Sequence, residues 1–378
     1  MPLLRLLLLL FLFLSGMANA VTMFINHPNL KWNFPLQFDG YVYGSYNYLT
    51  QSPYFISGVP DRANDTAENG ARLQQAYFSV AHMEEGWGGF ADVIVGLDAY
   101  YLAPLGWNAN FFNLHNVGFA MPETYLQYRW PKSFIKFGML ITLAGYEPYT
   151  YTTATAFSHS ILDGYAQPGS HIGVRFVQEL NPDLNYFVGV GSGWATIEQA
   201  ARLNMLEVGM IGIKKDVASL TADIFLGHNY LTDLSTSGPT GVRQLVDIYG
   251  SYQVMTPVSL GFNLDYGTQS QALLPTLQIG HAAWAGLAGY LTYDWTERIK
   301  LSFRAEAFND VDGYRTGLRQ VWKELTLSII YHPIHVLTLL AETRHDISNV
   351  NAFARNTGIG AINNQQSFAL TAMINFIQ

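Results

Sequence analysis

The 378-residue chain contains no cysteine. That excludes a disulfide framework, a thiol nucleophile and any zinc or iron–sulfur centre held by thiolates. Charge is scarce as well, at 13% of residues, about half of the roughly 25% usual in soluble domains. What charge there is leans acidic, 28 Asp and Glu against 20 Lys and Arg, so nothing electrostatic favours nucleic acid as a partner. Past the N-terminus the chain also lacks a helix-length apolar run. Its longest charge-free stretch, 266–293, is broken by Gln, Thr, Pro, His and repeated Gly, leaving 282–291 as a continuous apolar part of ten residues. A helix needs about 20 to cross a bilayer. Against these absences stand 49% apolar residues, 14% aromatics and 34 glycines, a composition unlike that of disordered chains.

Residues 1–20 read MPLLRLLLLLFLFLSGMANA. One positive charge, Arg5, precedes the apolar run 6–14, and Ala18-Asn19-Ala20 supplies the small-x-small pattern of a signal-peptidase site. The expectation is an export signal cut after Ala20, with 21–378 as a single domain. An exported, lipid-like chain without helical spans has one other way to pair every backbone group in hydrocarbon, which is a closed β-barrel.

Barrel strands alternate lipid-facing and lumen-facing residues. In 299–307, Ile299, Leu301, Phe303, Ala305 and Ala307 fall on one face, against Lys300, Ser302, Arg304 and Glu306. Segments 219–227, 258–267 and 336–345 alternate in the same way, and 89–101 does so less cleanly. A soluble β-sandwich would alternate too, so the connections must discriminate. The pattern predicts sixteen strands from 36–48 to 367–377, with seven short turns interleaved between eight long loops, among them 268–283. Short turns on one side and long loops on the other mark a transmembrane antiparallel up-and-down β-barrel in an outer membrane. Fourteen or eighteen strands would follow from one misread hairpin. Tryptophans agree: Trp87, Trp130 and Trp295 fall at the short-turn side and Trp194, Trp284 and Trp322 at the long-loop side, as two interfacial girdles require. The last strand puts Phe368, Leu370, Ala372, Ile374 and Phe376 on one face.

Within 138–194, a strand running into Gly145-Tyr146-Glu147, then Phe157-Ser158-His159-Ser160, then Pro168 and His171 ahead of Gly173-Val174-Arg175 resembles the β-barrel porin-2 family of Gram-negative outer-membrane proteins. The resemblance implies an outer-membrane pore and brings no catalytic residues.

The candidate channel-lining residues are Asp92, Asp98, Glu123, Arg129, Arg175, Asp223, Asp265, Arg304, Glu306, Glu342 and Arg344. Acids outnumber bases in the strands, which predicts a mild preference for cations. Arg304 with Glu306, and Glu342 with Arg344, are same-face neighbours that would pair. A sixteen-stranded barrel is wide, and the longest loop, 144–170, with Glu147 and Asp163 its only acids, is the candidate constriction. His332-Pro333-Ile334-His335 reads as a short turn rather than a metal site, with no Cys and no nearby carboxylate. No cofactor is called for. The expected function is passive diffusion of small hydrophilic solutes or ions through a barrel seated in outer-membrane lipid. A homotrimer would hide a flat outer face, for which 284–291 (WAGLAGYL) is the candidate. The alternatives are a surface-binding adhesin and a hydrolase at the rim, for which Ser158-His159-Ser160 is the only local candidate.

Overall fold

The computed structural model describes residues 23–24, 35–50, 70–104, 107–110, 117–195, 197, 203–229, 241–354 and 360–377. The segment 1–20, read as an export signal, lies outside them.

Sixteen antiparallel strands close into a barrel. The first eight are β1 (Pro35–Leu49), β2 (Gly70–His82), β3 (Gly86–Gly96), β4 (Thr124–Trp130), β5 (Ser133–Leu140), β6 (His171–Asn181), β7 (Leu184–Gly191) and β8 (Met205–Lys214). The next four are β9 (Ala218–Asn229), β10 (Gly241–Met255), β11 (Val258–Leu273) and β12 (Ile279–Thr296). The last are β13 (Ile299–Asp310), β14 (Gln320–Ile334), β15 (Leu337–Ser348) and β16 (Asn364–Ile377). Each pairs with the next in sequence, and β1 meets β16 from Gly40 opposite Ile377 to Leu49 opposite Ser367. Closure leaves no free edge, so backbone groups are paired as hydrocarbon demands.

The period of two sorts side chains cleanly. On β8, Leu206, Val208 and Met210 are exposed on the outer face while Met205 and Glu207 are buried inside. On β9, Leu220, Ile224 and Leu226 point out, and Thr221, Asp223 and Phe225 point in. β13, β15 and β16 follow the expected parity, with Phe303, Leu339, Phe368 and Leu370 outward. Among the described residues no helix is long and apolar enough to cross a membrane.

Four expectations are corrected. The strand expected over 89–101 stops at Gly96, and the chain turns into a helical turn, α1 (Ala99–Leu102). Asp98 therefore sits at the N-cap of α1 rather than on a strand, held there by Gln74 and Gln75. The long loop expected over 268–283 is a tall hairpin: after a bulge, Ala272 and Leu273 still pair with Gly280 and Ile279. The His332–His335 turn is also shorter, because β14 runs on to Ile334.

The fourth correction concerns tryptophan. On the short-turn side, Trp87 (62% exposed), Trp130 (43%) and Trp295 (62%) face out. On the long-loop side, Trp284 (0%) and Trp322 (1%) face the barrel interior instead. In WAGLAGYL, Trp284 has the opposite parity to the outward Leu287 and Leu291, so the outer face of that segment carries the leucines and not the indole.

Candidate pore lining and lumen loop

In an antiparallel sheet, residues opposite each other project from the same face. Glu306 (β13) lies opposite Glu324 (β14), which lies opposite Asp346 (β15), a row of three inward carboxylates. One pleat toward the short turns, Arg304, Thr326 and Arg344 form the next row. Arg304 Nε donates to Glu324 at 2.7 Å and its Nη1 to Glu147 of the 144–170 loop at 2.7 Å. Arg344 bonds Asp346 at 2.8 Å and lies 3.2 Å from Glu324. The expected partners differ: Arg304 does not pair with Glu306, nor Arg344 with Glu342. Glu306 and Glu342 are claimed by backbone N–H groups of the loop.

The loop lies inside the barrel and is tied to the wall at many points. Ile161 N and Leu162 N donate to Glu306 at 2.6 and 3.2 Å. Phe157 N donates to Glu342 at 2.6 Å, joined by Ser158 N at 3.2 Å. Arg304 also donates to Ser158 O and Arg344 to His159 O, each at about 2.6–2.7 Å. Across the lumen, Gly145 N donates to Asp247 on β10, Tyr146 N to Asn263 on β11, Tyr149 OH to Asp92 on β3 and Tyr151 N to Tyr41 on β1. Inside the loop a short helix, α2 (Ile161–Tyr165), is capped by Ser160. It packs Ile161, Leu162 and Tyr165 against Trp284, Phe308 and Trp322. The fit is close: a Cβ on Gly286 would stand 2.7 Å from Leu162, and one on Gly261 2.5 Å from Tyr146.

A second row of carboxylates faces the other end of the loop. Asp223, Asp247 and Asp265 lie side by side on β9, β10 and β11, all buried. Asp247 accepts from Asn263, and Asp265 from Gln167 of the loop. Asp223 has no hydrogen-bond partner among the described residues.

The other expected lining residues are scattered. Asp92 is buried and bridges a gap in the ladder before β4, its carboxylate accepting from Glu123 N at 2.9 Å. The Glu123 side chain lies just outside the strand and pairs with Lys136 at 3.6 Å. Arg129, near the short-turn end, stacks over Phe134. Arg175 is buried in a fork with Glu207 at 2.5 and 2.9 Å. Most of the acids are thus taken up by guanidinium groups, loop N–H groups or side-chain amides, with Asp223 the exception, and this placement lends no support to a preference for cations.

Glu207, Asp247 and Glu324 count among the strand acids that the sequence sets toward the interior, without being singled out as lining, and only Asp346 escapes that count. Asp346 lay one residue past the expected end of its strand.

Glu147, His159 and Asp163 bring ligand atoms within 4.8 Å of one another. Glu147 is already held by Arg304, Ser160 N and Tyr290 OH, and Asp163 by Tyr101 OH at 2.6 Å. His159 Nδ1 lies 3.0 Å from Asp163. Burial alone would lower the His159 pKa, but Asp163, Glu147 and Asp98 outweigh it and raise the value to about 9. The imidazolium is thus an ion-paired clasp inside the loop. Ser158, the hydroxyl of the hydrolase alternative, accepts from Arg304 at 3.2 Å, while its neighbour His159 is turned to Asp163. Beside these residues the loop encloses a cavity of about 280 Å³, bounded by Tyr146, Glu147, Tyr151, Phe157, His159 and Tyr290.

Solved structures of similar architecture include an outer-membrane channel, a porin and an outer-membrane protein. The DcaP channel of Acinetobacter baumannii superposes with a TM-score of 0.62 at 14% identity, covering 92% of this chain and 98% of its own. An anion-selective porin from Comamonas acidovorans gives 0.60 at 10% identity, with 90% and 99% covered. The trimer form of OmpT from Vibrio cholerae gives 0.55 at 11% identity, with 90% and 98% covered. At these identities the likeness establishes the fold alone. No curated protein matches the chain in sequence. The family does match: residues 35–376 fit the family described as "Putative beta-barrel porin-2, OmpL-like", so the chain belongs to that family and is an outer-membrane porin channel.

Proposed function

We propose that the channel passes small hydrophilic solutes by passive diffusion through a lumen narrowed by loop 144–170, with no chemical reaction. One observation carries this reading. The loop hydrogen-bonds to inward side chains on β1, β3, β10, β11, β13 and β15, so its backbone reaches walls on opposite sides of the barrel. The lining residues in this reading are Asp92, Arg175, Asp223, Asp265, Arg304, Glu306, Glu342 and Arg344, with Glu147 and Asp163 on the loop. Asp98, Glu123 and Arg129 stand at the strand margins. Single-channel current from the refolded barrel in a planar bilayer tests it. Open steps are expected, and removal of 152–156 at the loop tip should raise their conductance. A folded barrel that passes no current would overturn the pore, and unchanged conductance after the deletion would overturn the constriction.

Export through cleavage after Ala20 belongs to the same proposal and is checked by the N-terminal sequence of the protein recovered from outer membranes. A homotrimer is the assembly we propose, by likeness to the trimer form of the Vibrio cholerae OmpT. Leu287 and Leu291 are outward on the segment expected as the shared face. Cross-linking in native membranes should give three-copy species.

A further inference from the structure

Among the described residues, the four arginines that are almost wholly buried, together with Arg315 of the 311–319 loop, fall into two groups. Arg175, Arg304 and Arg344 each hold a carboxylate at 2.5–2.8 Å. Arg243 on β10 and Arg315 in the 311–319 loop hold none among the described residues. Arg243 is only 6% exposed, yet its acceptors are neutral: Gln269 Oε1 at 2.8 Å and Tyr314 OH at 2.6 Å. Arg315 donates from Nε to the Tyr165 carbonyl. That leaves Nη1 of Arg243 and both terminal nitrogens of Arg315 without an acceptor among the described residues.

The two guanidiniums share one aromatic cage. Arg243 lies 4.8 Å from the Trp194 ring centre and 5.9 Å from that of Trp284. Arg315 lies 6.0 and 5.3 Å from the same two rings. Aromatic faces ease the burial of a cation but supply no negative charge. The carboxylate that acts on Arg315 is Asp310, and it is fully engaged by Tyr314 N, Arg315 N, Thr316 N and the Thr316 hydroxyl. Burial and the neighbouring Arg243 lower the Arg315 pKa to about 10, which leaves it charged at neutral pH. Two positive charges therefore face each other in a partly dry cage, the arrangement that a bound anion would complete. A guanidinium fork fits carboxylate and phosphate oxygens in pairs.

We propose that Arg243 and Arg315 bind the oxyanion of a small solute, a carboxylate or a phosphate, at the long-loop mouth of the lumen. The proposal deepens the pore reading and rests on it for the route by which the solute arrives. The place is apt. The carbonyls of Tyr165, Ala166 and Gln167, at the end of α2, accept from Arg315, Trp284 and Trp194 in turn. The cage thus sits directly on the loop that occupies the lumen.

The test is calorimetric titration of the detergent-folded barrel with sodium phosphate and, separately, sodium acetate. The wild type is expected to show saturable one-site binding, weakened about tenfold or more in R243Q/R315Q. R243K/R315K keeps both charges without the fork and should bind with intermediate strength; it also serves if the glutamine variant does not fold. Tighter phosphate identifies a phosphate-bearing solute and tighter acetate a carboxylate, and either supports the site. No saturable binding to wild type, or equal binding by wild type and R243Q/R315Q, overturns it. Bilayer currents read the pore separately: binding without current would remove the pore and keep the site, while open steps without binding would do the reverse.

Discussion

Two parts of the lumen wall handle buried arginine in opposite ways. On β13–β15, Arg304 and Arg344 stand among Glu324, Asp346 and the loop's Glu147, and each nitrogen row meets a carboxylate row one pleat away. At the top of β10–β12, Arg243 and Arg315 are surrounded by Trp194, Trp284 and Tyr314 and by neutral oxygens. The first wall neutralises its charge internally and uses the surplus carboxylates, Glu306 and Glu342, to grip the backbone of a loop. The second keeps its charge and screens it with π faces. Removing one ion of a compensated pair strands its partner, whereas removing an uncompensated ion relieves the site. The contrast therefore predicts opposite signs for the same kind of substitution.

The largest effect is expected at Arg304. Arg304→Met takes from Glu147 and Glu324 the cation they share and leaves Glu324 with Arg344 alone, and loss of one partner of a buried pair costs about 3–5 kcal/mol. Urea unfolding of the folded barrel in detergent reads this, and a change below about 1 kcal/mol would mean that this wall is not held by charge. Glu342→Gln comes next. It keeps one carbonyl acceptor but cannot serve Phe157 N, Ser158 N and Ser328 OH together, at about 1–3 kcal/mol for a buried donor left unpaired. Noisier, larger single-channel steps should accompany it as the loop loosens.

The His159 clasp gives a smaller, pH-dependent effect. Its folded pKa of about 9 lies above the unfolded value of about 6.5, so its stabilisation is full below about pH 6.5. It is lost as pH rises through about 9. Thermal unfolding midpoints should fall over that window, and His159→Asn should flatten the fall. A wild-type midpoint constant from pH 6 to 10 would contradict the ion pair with Asp163. The smallest change belongs to the second wall: Arg315→Gln should raise stability, by less than about 1 kcal/mol. A loss as large as that of Arg304→Met would erase the difference between the two walls.

Much of this was legible before the structure. Alternation in 299–307, 219–227 and 258–267 placed Arg304, Glu306, Asp223 and Asp265 on the inner face, because a period of two leaves no other choice in a strand with one lipid side. The misreadings arose where the period no longer governed. Asp98 was placed on a strand because alternation can be continued on paper past Gly96, where the chain in fact turns into α1. Trp284 and Trp322 were assigned to a girdle by their position along the strand, although parity already turned Trp284 inward. The partners of Arg304 and Glu306 could not be read at all. They depend on which segment, 144 to 157 residues away, comes to the wall.

By itself, then, the sequence determined the class of solvent, the closed antiparallel sheet and the inward face of the cleanly alternating strands. Those follow from composition, from the two-residue period and from the need to pair every backbone group in lipid. Only the tertiary structure decided which inward charges neutralise one another and which grip loop 144–170, and that two arginines are left with tryptophan for company. Such choices are set by neighbours across the ladder and by the loop's path through the lumen, distances of a few ångströms between residues as far apart as Ile161 and Glu306. No local pattern in the chain records them.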